Sequence, residues 1–377
     1  DPELLEHLSA GRQVALVSGT NGKTTTTRLL TVALGASGDD VVSNETGSNM
    51  PPGHVAALAG TRAPRVVLEV DEAYLPRVLT STSAAAVVLL NLSRDQLDRT
   101  SEVRMVAARW RAALAAAPHT HVVANADDPL VAWGAGAAKD VHWVAAGLRW
   151  QHDAVGCPSC EGRIEFHDDG SWSCGGCDLA RPVPEARLVH AADGAPEGVW
   201  ADGRRLPVRL ALPGRFNQAN ALLAAVAAEA CGVAAEAALA AMATVEEVAG
   251  RFTVRSFGDV RARLMLAKNP AGWDELLDLV TQGTAPLVVS INARVADGAD
   301  PSWLWDVPYE RLAGRSVVAT GDRFRDLSVR LRYAGVSHTT EPDPRAAVTL
   351  AADGNGGEVV DVIGNYTAFY DLLGARA

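Results

Sequence analysis

A short run near the start of the chain has the residue types of a phosphate-binding loop. It contains two glycines, an asparagine, a lysine and three threonines, which are Gly19, Thr20, Asn21, Gly22, Lys23, Thr24 and Thr25. Glycines let backbone N–H groups approach phosphate oxygens, and the N-terminus of a following helix adds positive potential. Lys23 would neutralise the β- and γ-phosphates of a nucleotide, and the Thr24 hydroxyl would bind Mg²⁺. The run, residues 18–25 with the preceding serine, predicts a binding loop for ATP with Mg²⁺.

This phosphate loop meets the common P-loop spacing only in part, because Val17 stands where that pattern has glycine. The alternative is a chance glycine turn before a helix. The combination of strand, turn, lysine and hydroxyls favours the phosphate site.

Four of the five cysteines form two pairs with metal-ligand spacing. The pairs are Cys157 with Cys160 and Cys174 with Cys177, and thirteen residues separate them. Each pair can present two thiolates to one tetrahedral ion, and four sulfur ligands leave no open position for water. The spacing therefore predicts a structural zinc ribbon, with a redox disulfide as the alternative. Cys231 lies in an apolar helical pattern and is predicted to be a buried small hydrophobe.

The elements that would position these residues alternate between strands and helices. In the first part of the chain, strands are predicted at 13–17, 65–70, 85–90 and 121–124. Helices are predicted over 24–34, 101–117 and 217–231. Such alternation is typical of a mostly parallel sheet that is covered on both faces.

A second α/β unit is predicted from about residue 250. Its predicted strands are 262–267, 286–291, 315–319 and 358–363, and its last helix is 366–374. The segment at about 148–187, which holds the paired cysteines, breaks the strand–helix rhythm and is predicted to be an inserted module. We therefore predict two domains, residues 1–249 with that insert and residues 250–377.

Composition limits the class of partner and the compartment. The net charge of −11 argues against wide binding to a nucleic-acid backbone. No apolar run approaches the ~20 residues that span a bilayer, and no signal peptide is recognisable. Paired CxxC motifs in such a protein favour metal binding in a reducing environment, so we expect the cytoplasm.

Five segments, in order along the chain, resemble motifs of the Mur ligases and the folylpolyglutamate synthases. They are SGTNGKTT at 18–25, NLSRDQLDR at 91–99, NADDP at 125–129, NQANAL at 217–222 and GRF at 250–252. The resemblance implies a Mur ligase-type central ATP-binding domain followed by a Rossmann-like α/β C-terminal domain. It also implies that Asn217 and Asn220 contact the adenine end of ATP and that Arg251 stabilises the transferred phosphate. Glu69, with Glu72 as the near alternative, would bind Mg²⁺.

The chain departs from ordinary Mur ligases at the second Mg²⁺ site. Gln96 replaces a magnesium-binding histidine, and residues 101–117 contain no lysine that could be carbamylated. Met265 also replaces the aspartate that binds ribose in the family. We expect the second Mg²⁺ site to be altered or absent.

Three C-terminal segments resemble the MurT subfamily, whose members are synthetase subunits of lipid II isoglutaminyl synthases. They are LAKNPAGWDE at 266–275, ADGADPSWLWDVPYE at 296–310 and NYTA at 365–368. The resemblance implies that ATP activates the α-carboxyl of D-glutamate in lipid II as an acyl phosphate. Ammonia from a glutaminase subunit, GatD, would then form the amide at the inner face of the membrane.

The same resemblance implies that this chain lends an aspartate to the Cys–His pair of the glutaminase, where a carboxylate orients the histidine. The candidates are Asp300, which we prefer, Asp297 and Asp306. Two alternatives stay open: a stand-alone ligase that joins an amino acid to a carboxylate, and a nonenzymatic zinc-ribbon interaction protein with a relic phosphate loop.

Overall fold

The computed structural model describes residues 3–44, 48–94, 103–191, 194–353 and 359–374. The described residues up to Glu246 form one compact unit, and those from Glu247 onward form a second. Within these ranges, no helix has both the length and the apolar character needed to cross a membrane.

The first unit is built on a large sheet. The strands of this sheet are β1 (Gln13–Ser18), β2 (Val41–Ser43), β3 (Arg65–Glu69), β4 (Ala86–Leu89), β5 (His121–Asn125), β6 (Val141–Ala145), β9 (Ala186–His190), β10 (Pro196–Trp200) and β11 (Arg205–Pro207). A separate hairpin is formed by β7 (Ile164–Phe166) and β8 (Trp172–Cys174). Among the described residues the sheet order is β11-β10-β9-β6-β5-β4-β1-β3-β2. The ladder from β2 to β9 is parallel, and β10 and β11 add antiparallel strands at one edge.

Helices cover both faces of this sheet. They are α1 (Leu4–Ser9), α2 (Lys23–Gly35), α3 (Pro51–Ala59), α4 (Leu75–Thr82), α5 (Val103–Ala115), α6 (Pro129–Ala135), α7 (Arg215–Ala230) and α8 (Ala235–Met242). Val14 and Leu16 of β1 pack with α3 to α6, whereas the alternate residues Ala15 and Val17 are buried on the other face. On that face α2, α7 and α8 pack together. The alanine-rich α7 is buried along most of its length, because small side chains allow close helix packing.

The predicted parallel sheet is confirmed, but the chain returns to the main domain earlier than the helix predicted at 217–231. We predicted that the module runs to about residue 187 and that the main domain resumes with the helix at 217. Instead β9 begins at Ala186 and pairs with β6, so the main sheet resumes there and continues through β11. The alternation in β9 to β11 is weak because few of their residues are buried, namely Ala186, Gly198, Val199 and Trp200.

The second unit is a smaller α/β sheet. Its strands are β12 (Phe252–Phe257), β13 (Val260–Leu266), β14 (Leu287–Ser290), β15 (Ser316–Thr320), β16 (Ser337–Thr340) and β17 (Val360–Gly364). Its helices are α9 (Pro270–Thr281), α10 (Phe324–Tyr333), α11 (Pro344–Ala352) and α12 (Tyr366–Leu373), with short 3₁₀ helices at Pro301–Trp305 and Tyr309–Leu312. In the described residues the order is β12-β13-β17-β14-β15-β16, with only the β12–β13 pair antiparallel. The predicted strands correspond to β13, β14, β15 and β17, whereas β12 and β16 were not predicted.

Candidate active site

The phosphate loop lies where the strand order of the large sheet reverses. The chain places β2 and β3 on one side of β1, and β5 and β6 beyond β4 on the other. In open α/β sheets, ligands bind in the crevice outside the carboxyl ends of the strands at such a point. Residues 19–22 follow β1, and residues 90–93 follow β4, so both segments border this crevice.

Two glycines in the loop are required by its geometry. Gly19 and Gly22 have φ of 146° and 87°, in the range that disfavours side chains. A Cβ at Gly19 would lie 2.9 Å from the Cβ of Leu90. A Cβ at Gly22 would lie 2.9 Å from Oδ1 of Asn220. The loop therefore packs closely both on the segment after β4 and on α7.

The segment after β4 holds the loop by hydrogen bonds. Asn91 Oδ1 accepts from the Asn21 backbone N–H at 2.9 Å, and Asn91 Nδ2 donates to the Asn21 carbonyl at 3.0 Å. The Thr20 hydroxyl donates to the Ser93 carbonyl and accepts from the Ser93 N–H, each at 3.0 Å. These bonds fix the conformation of the loop. The sequence motif contained Asn91, but its spacing gave no sign of this role. The rest of that motif, from residue 95 and including Gln96, lies outside the described residues.

Lys23 begins α2 and points back over the loop. Its Nζ donates to the Gly19 carbonyl at 2.6 Å and to Oε2 of Glu72 at 2.9 Å. Both ends of this ion pair are largely shielded, with side-chain exposures of 11% and 15%. An ammonium held here can neutralise phosphate oxygens, which would compete with Glu72 for it.

Glu69 and Thr24 each carry a buried oxygen without a hydrogen bond. Glu69 ends β3, next to Val17 of β1, and is 1% exposed. Its Oε1 accepts from Asn49 Nδ2 at 3.4 Å. Within the described ranges, Glu69 Oε2 and Thr24 Oγ1 have no hydrogen-bond partner. A buried oxygen left unpaired is costly, and a carboxylate with a hydroxyl is the hard-oxygen donor set that Mg²⁺ takes. The chemistry of these residues therefore fits the predicted cation.

Two residues that the sequence analysis missed fix the backbone of Glu69. Asn44 accepts from the Glu69 N–H at 2.8 Å and donates to the Glu69 carbonyl at 2.9 Å. Nε2 of His54 lies 2.9 Å from the same carbonyl oxygen. Burial lowers the pKa of His54, which favours the neutral imidazole. No sequence signal points to these residues, because they lie 25 and 15 positions before Glu69.

The two predicted adenine-contact residues lie on the first turns of α7. Asn217 and Asn220 are 5% and 7% exposed. Asn217 Nδ2 donates to the Pro213 carbonyl at 2.6 Å, and its Oδ1 is buried and unpaired among the described residues. Asn220 lies against Gly22, which places it beside the phosphate loop. Their contact with adenine stays a prediction.

The NADDP motif contacts the segment that follows β4 at the crevice. Asp128 caps α6 by accepting from Leu130 and Val131, and it also accepts from the Leu92 N–H at 2.8 Å. Burial raises the pKa of Asp128 to about 6. Asp127 accepts from Arg181 Nε at 2.5 Å, which ties the end of the inserted module to the main domain. The motif therefore has a structural role here.

The four paired cysteines of the inserted module converge. One Sγ from each lies within 4.8 Å of all the others. The Cys157–Cys177 and Cys160–Cys174 Sγ distances are 3.7 and 3.4 Å. A tetrahedral zinc with Zn–S of about 2.3 Å separates its sulfurs by about 3.8 Å. The Gly176 N–H donates to Cys174 Sγ at 3.3 Å, a bond that stabilises a thiolate there. The donors therefore fit the predicted zinc.

The three candidate aspartates of the second unit differ in their surroundings. Asp297 is buried; it accepts from the Thr367 N–H at 2.9 Å and from the Thr367 hydroxyl at 2.5 Å. Asp300 is exposed and caps the following 3₁₀ helix by accepting from the Ser302 N–H at 2.8 Å. Asp306 is exposed at the end of that helix. Asp297 is thus engaged within its own domain, whereas Asp300 and Asp306 face solvent.

Arg251 lies just before β12 in the second unit. Its Nη1 donates to the Gly250 carbonyl at 3.0 Å. Its action on the transferred phosphate stays a prediction.

Comparisons with known proteins agree along the chain. The family profile of the Mur ligase middle domain matches residues 17–228, and that of the MurT ligase C-terminal domain matches residues 266–369. The chain is 27% identical to the MurT subunit of a glutamine-hydrolysing lipid II isoglutaminyl synthase from Streptococcus pneumoniae, over 100% of this chain and 90% of that protein. It is 29% identical to the same subunit from Staphylococcus aureus, over 96% of this chain and 86% of that protein.

Solved structures share the fold. A pseudomurein peptide ligase type C from Methanothermus fervidus superposes with a TM-score of 0.71 at 19% identity, over 96% of this chain and 77% of that one. MurF from Acinetobacter baumannii gives a TM-score of 0.67 at 15% identity, over 99% and 78% of the two chains.

Proposed function

This chain belongs to the Mur ligase family, and from that premise we propose that it is the synthetase subunit of a lipid II isoglutaminyl synthase. In this reaction ATP drives amidation of the α-carboxyl of D-glutamate in lipid II, giving D-isoglutamine during peptidoglycan synthesis. The observation that carries the proposal is the match of residues 266–369 to the MurT ligase C-terminal profile on the same chain as a Mur-type phosphate loop.

The first step is transfer of the γ-phosphoryl group of ATP to the substrate carboxylate. The carboxylate oxygen bonds to phosphorus, the bond to the β-phosphate oxygen breaks, and an acyl phosphate and ADP result. Such a transfer depends on positioning and charge neutralisation. Lys23 and the N-terminus of α2 supply positive potential at the phosphates, and Asn217 and Asn220 orient the nucleotide. Thr24 and Glu69 would hold Mg²⁺, which would add further charge neutralisation.

The second step is attack of ammonia on the acyl carbon, which releases phosphate. Glutamine hydrolysis needs a reactive nucleophile, and the cysteines of this chain are poorly suited to it. Four of the five converge in one cluster, and burial raises the pKa of the fifth, Cys231, to about 11. The relatives are named as subunits of a glutamine-hydrolysing enzyme. A separate glutaminase, GatD, therefore supplies ammonia in the proposed complex.

Two further features belong to the proposal. The four cysteines hold a structural zinc that stabilises the inserted module, since four sulfurs close the coordination shell. One of the solvent-facing aspartates, Asp300 first and Asp306 second, completes the catalytic residues of GatD by orienting its histidine. The lipid tail of the substrate places the reaction at the inner face of the membrane.

A donor-exchange experiment tests the proposal. The purified chain is incubated with ATP, Mg²⁺ and lipid II, and then with ammonium alone, glutamine alone, glutamine with the glutaminase, or free amino acids. Amidated lipid II should form with ammonium and with glutamine plus glutaminase, but not with glutamine alone. Mass spectrometry distinguishes the amide from an added amino acid. Addition of an amino acid would identify a stand-alone ligase instead, and amidation from glutamine alone would contradict the need for a partner.

A further inference from the structure

A group of metal-ligand side chains lies at the amino ends of the parallel strands of the large sheet. His121 is the first residue of β5, Asp140 immediately precedes β6, and His142 is the second residue of β6. The phosphate loop follows the carboxyl end of β1 in the same parallel ladder, so the two groups lie at opposite edges of the sheet. The chemistry proposed above does not use these residues.

The donor atoms of this group are close enough to share one ion. His121 Nδ1 is 2.7 Å from Asp140 Oδ2, and His142 Nε2 is 3.7 Å from Asp140 Oδ1. One ligand atom from each of the three residues lies within 4.8 Å of the others. Zinc bonds to imidazole nitrogen and carboxylate oxygen at about 2.0–2.2 Å, which separates tetrahedral ligand atoms by about 3.4 Å. The observed distances lie on both sides of that value.

Both imidazole nitrogens that face this point lack hydrogen bonds. His121 Nδ1 and His142 Nε2 are buried atoms with no hydrogen-bond partner among the described residues. The Asp140 oxygen 2.7 Å from His121 Nδ1 is in ion-pair range but does not have hydrogen-bond geometry. Two imidazole nitrogens beside one carboxylate are a donor set that zinc takes in sites that keep an open position.

The imidazole ring of His142 is oriented by a carboxylate at its second nitrogen, Nδ1. His142 Nδ1 lies 2.8 Å from Oε2 of Glu185, the residue before β9. If Nδ1 carries the proton and donates it to Glu185, Nε2 is left with a free lone pair toward His121 and Asp140. Metal-binding histidines commonly make this bond to a carboxylate through their second nitrogen.

We propose that His121, Asp140 and His142 form a second zinc site, with Glu185 as the positioning residue and water in the remaining position. The ion joins the starts of β5 and β6, and Glu185 extends the link to the start of β9. Since β9 is where the chain returns to the sheet after the inserted module, zinc here stabilises that return. The competing explanation is a solvated cluster of His–carboxylate ion pairs that binds no metal.

Metal titration of the tag-free full-length chain tests the site. With Zn²⁺ competed against a chromogenic chelator, wild type should bind two zinc ions per chain in two separable steps. His142→Gln should bind one, and Cys174→Ser should keep the step that His142→Gln loses. Co²⁺ provides an independent readout, because thiolate charge-transfer bands report only the cysteine site. His119→Gln is the matched control, as an exposed histidine two positions from His121.

Glu185→Gln separates metal binding from a general loss of structure, because it removes none of the proposed ligands. It should weaken zinc binding at the site of His121, Asp140 and His142 by roughly 10–100-fold. Zn²⁺ should raise the thermal unfolding midpoint of the Cys174→Ser chain, because a bound ligand stabilises the folded state. It should not raise the midpoint of the double variant Cys174→Ser with His142→Gln, which lacks a ligand in each site. Binding of a single zinc by wild type, or two by a folded His142→Gln chain, would overturn the proposal.

Discussion

The phosphate loop and the cysteine-bearing module hold their polar groups in place by different kinds of contact. The loop depends on distant residues: Asn21 bonds to Asn91, and Thr20 bonds to Ser93, across 70 or more positions of chain. The module closes on itself, as Cys157 N–H donates to the Gly162 carbonyl and Cys174 N–H donates to the Leu179 carbonyl. A reactive site held by the surrounding fold should lose activity before stability when its side chains change. A metal-closed module should show the reverse.

Lys23→Ala should produce the largest effect. Loss of the ammonium over the loop is expected to lower ATP-dependent amidation by about 10³-fold or more, because this is the charge proposed to neutralise the transferred phosphate. The chain should stay folded, although its unfolding midpoint is expected to fall, because loss of Lys23 leaves the largely shielded Glu72 carboxylate without its ion-pair partner. Product formation and thermal unfolding are measured together, with exposed Lys139→Ala as the control. Normal turnover in Lys23→Ala would remove the phosphate-site assignment.

Glu69→Gln should lower activity by about 10²-fold and raise the Mg²⁺ concentration needed for half-maximal rate. Stability should stay equal or increase, because the change removes charge from a buried carboxylate with an unpaired oxygen. Glu72→Gln is the matched comparison, and it should leave the Mg²⁺ requirement closer to wild type. Equal Mg²⁺ dependence in both variants would contradict the choice of Glu69 as the cation ligand.

Cys174→Ser should affect the stability of the module more than the activity of the chain. Loss of one thiolate should release the zinc and open the module to proteases, since metal binding contributes to its folding free energy. Amidation from ammonium should fall by less than about tenfold, or about 1.4 kcal/mol. Zinc analysis and limited proteolysis between residues 148 and 187 provide the readouts. Cys231→Ala should retain zinc as the control, and full zinc retention in Cys174→Ser would refute the assignment.

The aspartates of the second unit give the smallest and most specific contrast. Asp297→Asn should destabilise its domain by about 1–3 kcal/mol, because it weakens buried bonds to Thr367. Asp300→Asn should change stability by less than about 0.5 kcal/mol, since asparagine caps a helix as well as aspartate does. Asp300→Asn should depress glutamine-driven amidation and spare ammonium-driven amidation.

Asp306→Asn is measured alongside, because Asp306 is the second candidate for the partner-facing role. Loss of both activities in Asp300→Asn would assign Asp300 to the ligase step instead. Full activity with both donors would redirect the partner-facing role to Asp306.

Features that depend on residues close together in the chain were predicted from the sequence, whereas features that depend on distant contacts were not. The phosphate loop and the paired cysteines were recognisable because their residue types recur at short spacing. The roles of Asn44, His54 and Asn91 were missed because they arise only when separate strands come together. The three aspartates lie within ten positions, and the sequence could not show that Asp297 is the buried one, since its bonds to Thr367 join distant parts of the chain. The strands β9 to β11 were missed because an edge of the sheet buries few side chains.

The long-range anchoring of the phosphate loop also constrains the order in which the chain can acquire its shape. Ser18 donates to the Val70 carbonyl, and the next two anchors lie at Asn91 and Ser93. A nascent chain that ends before these residues has the complete loop sequence but none of its anchors. Loop closure over such separations is slow and costs chain entropy. If the loop binds nucleotide as proposed, its binding shape would therefore form only after β3 and β4 have joined β1.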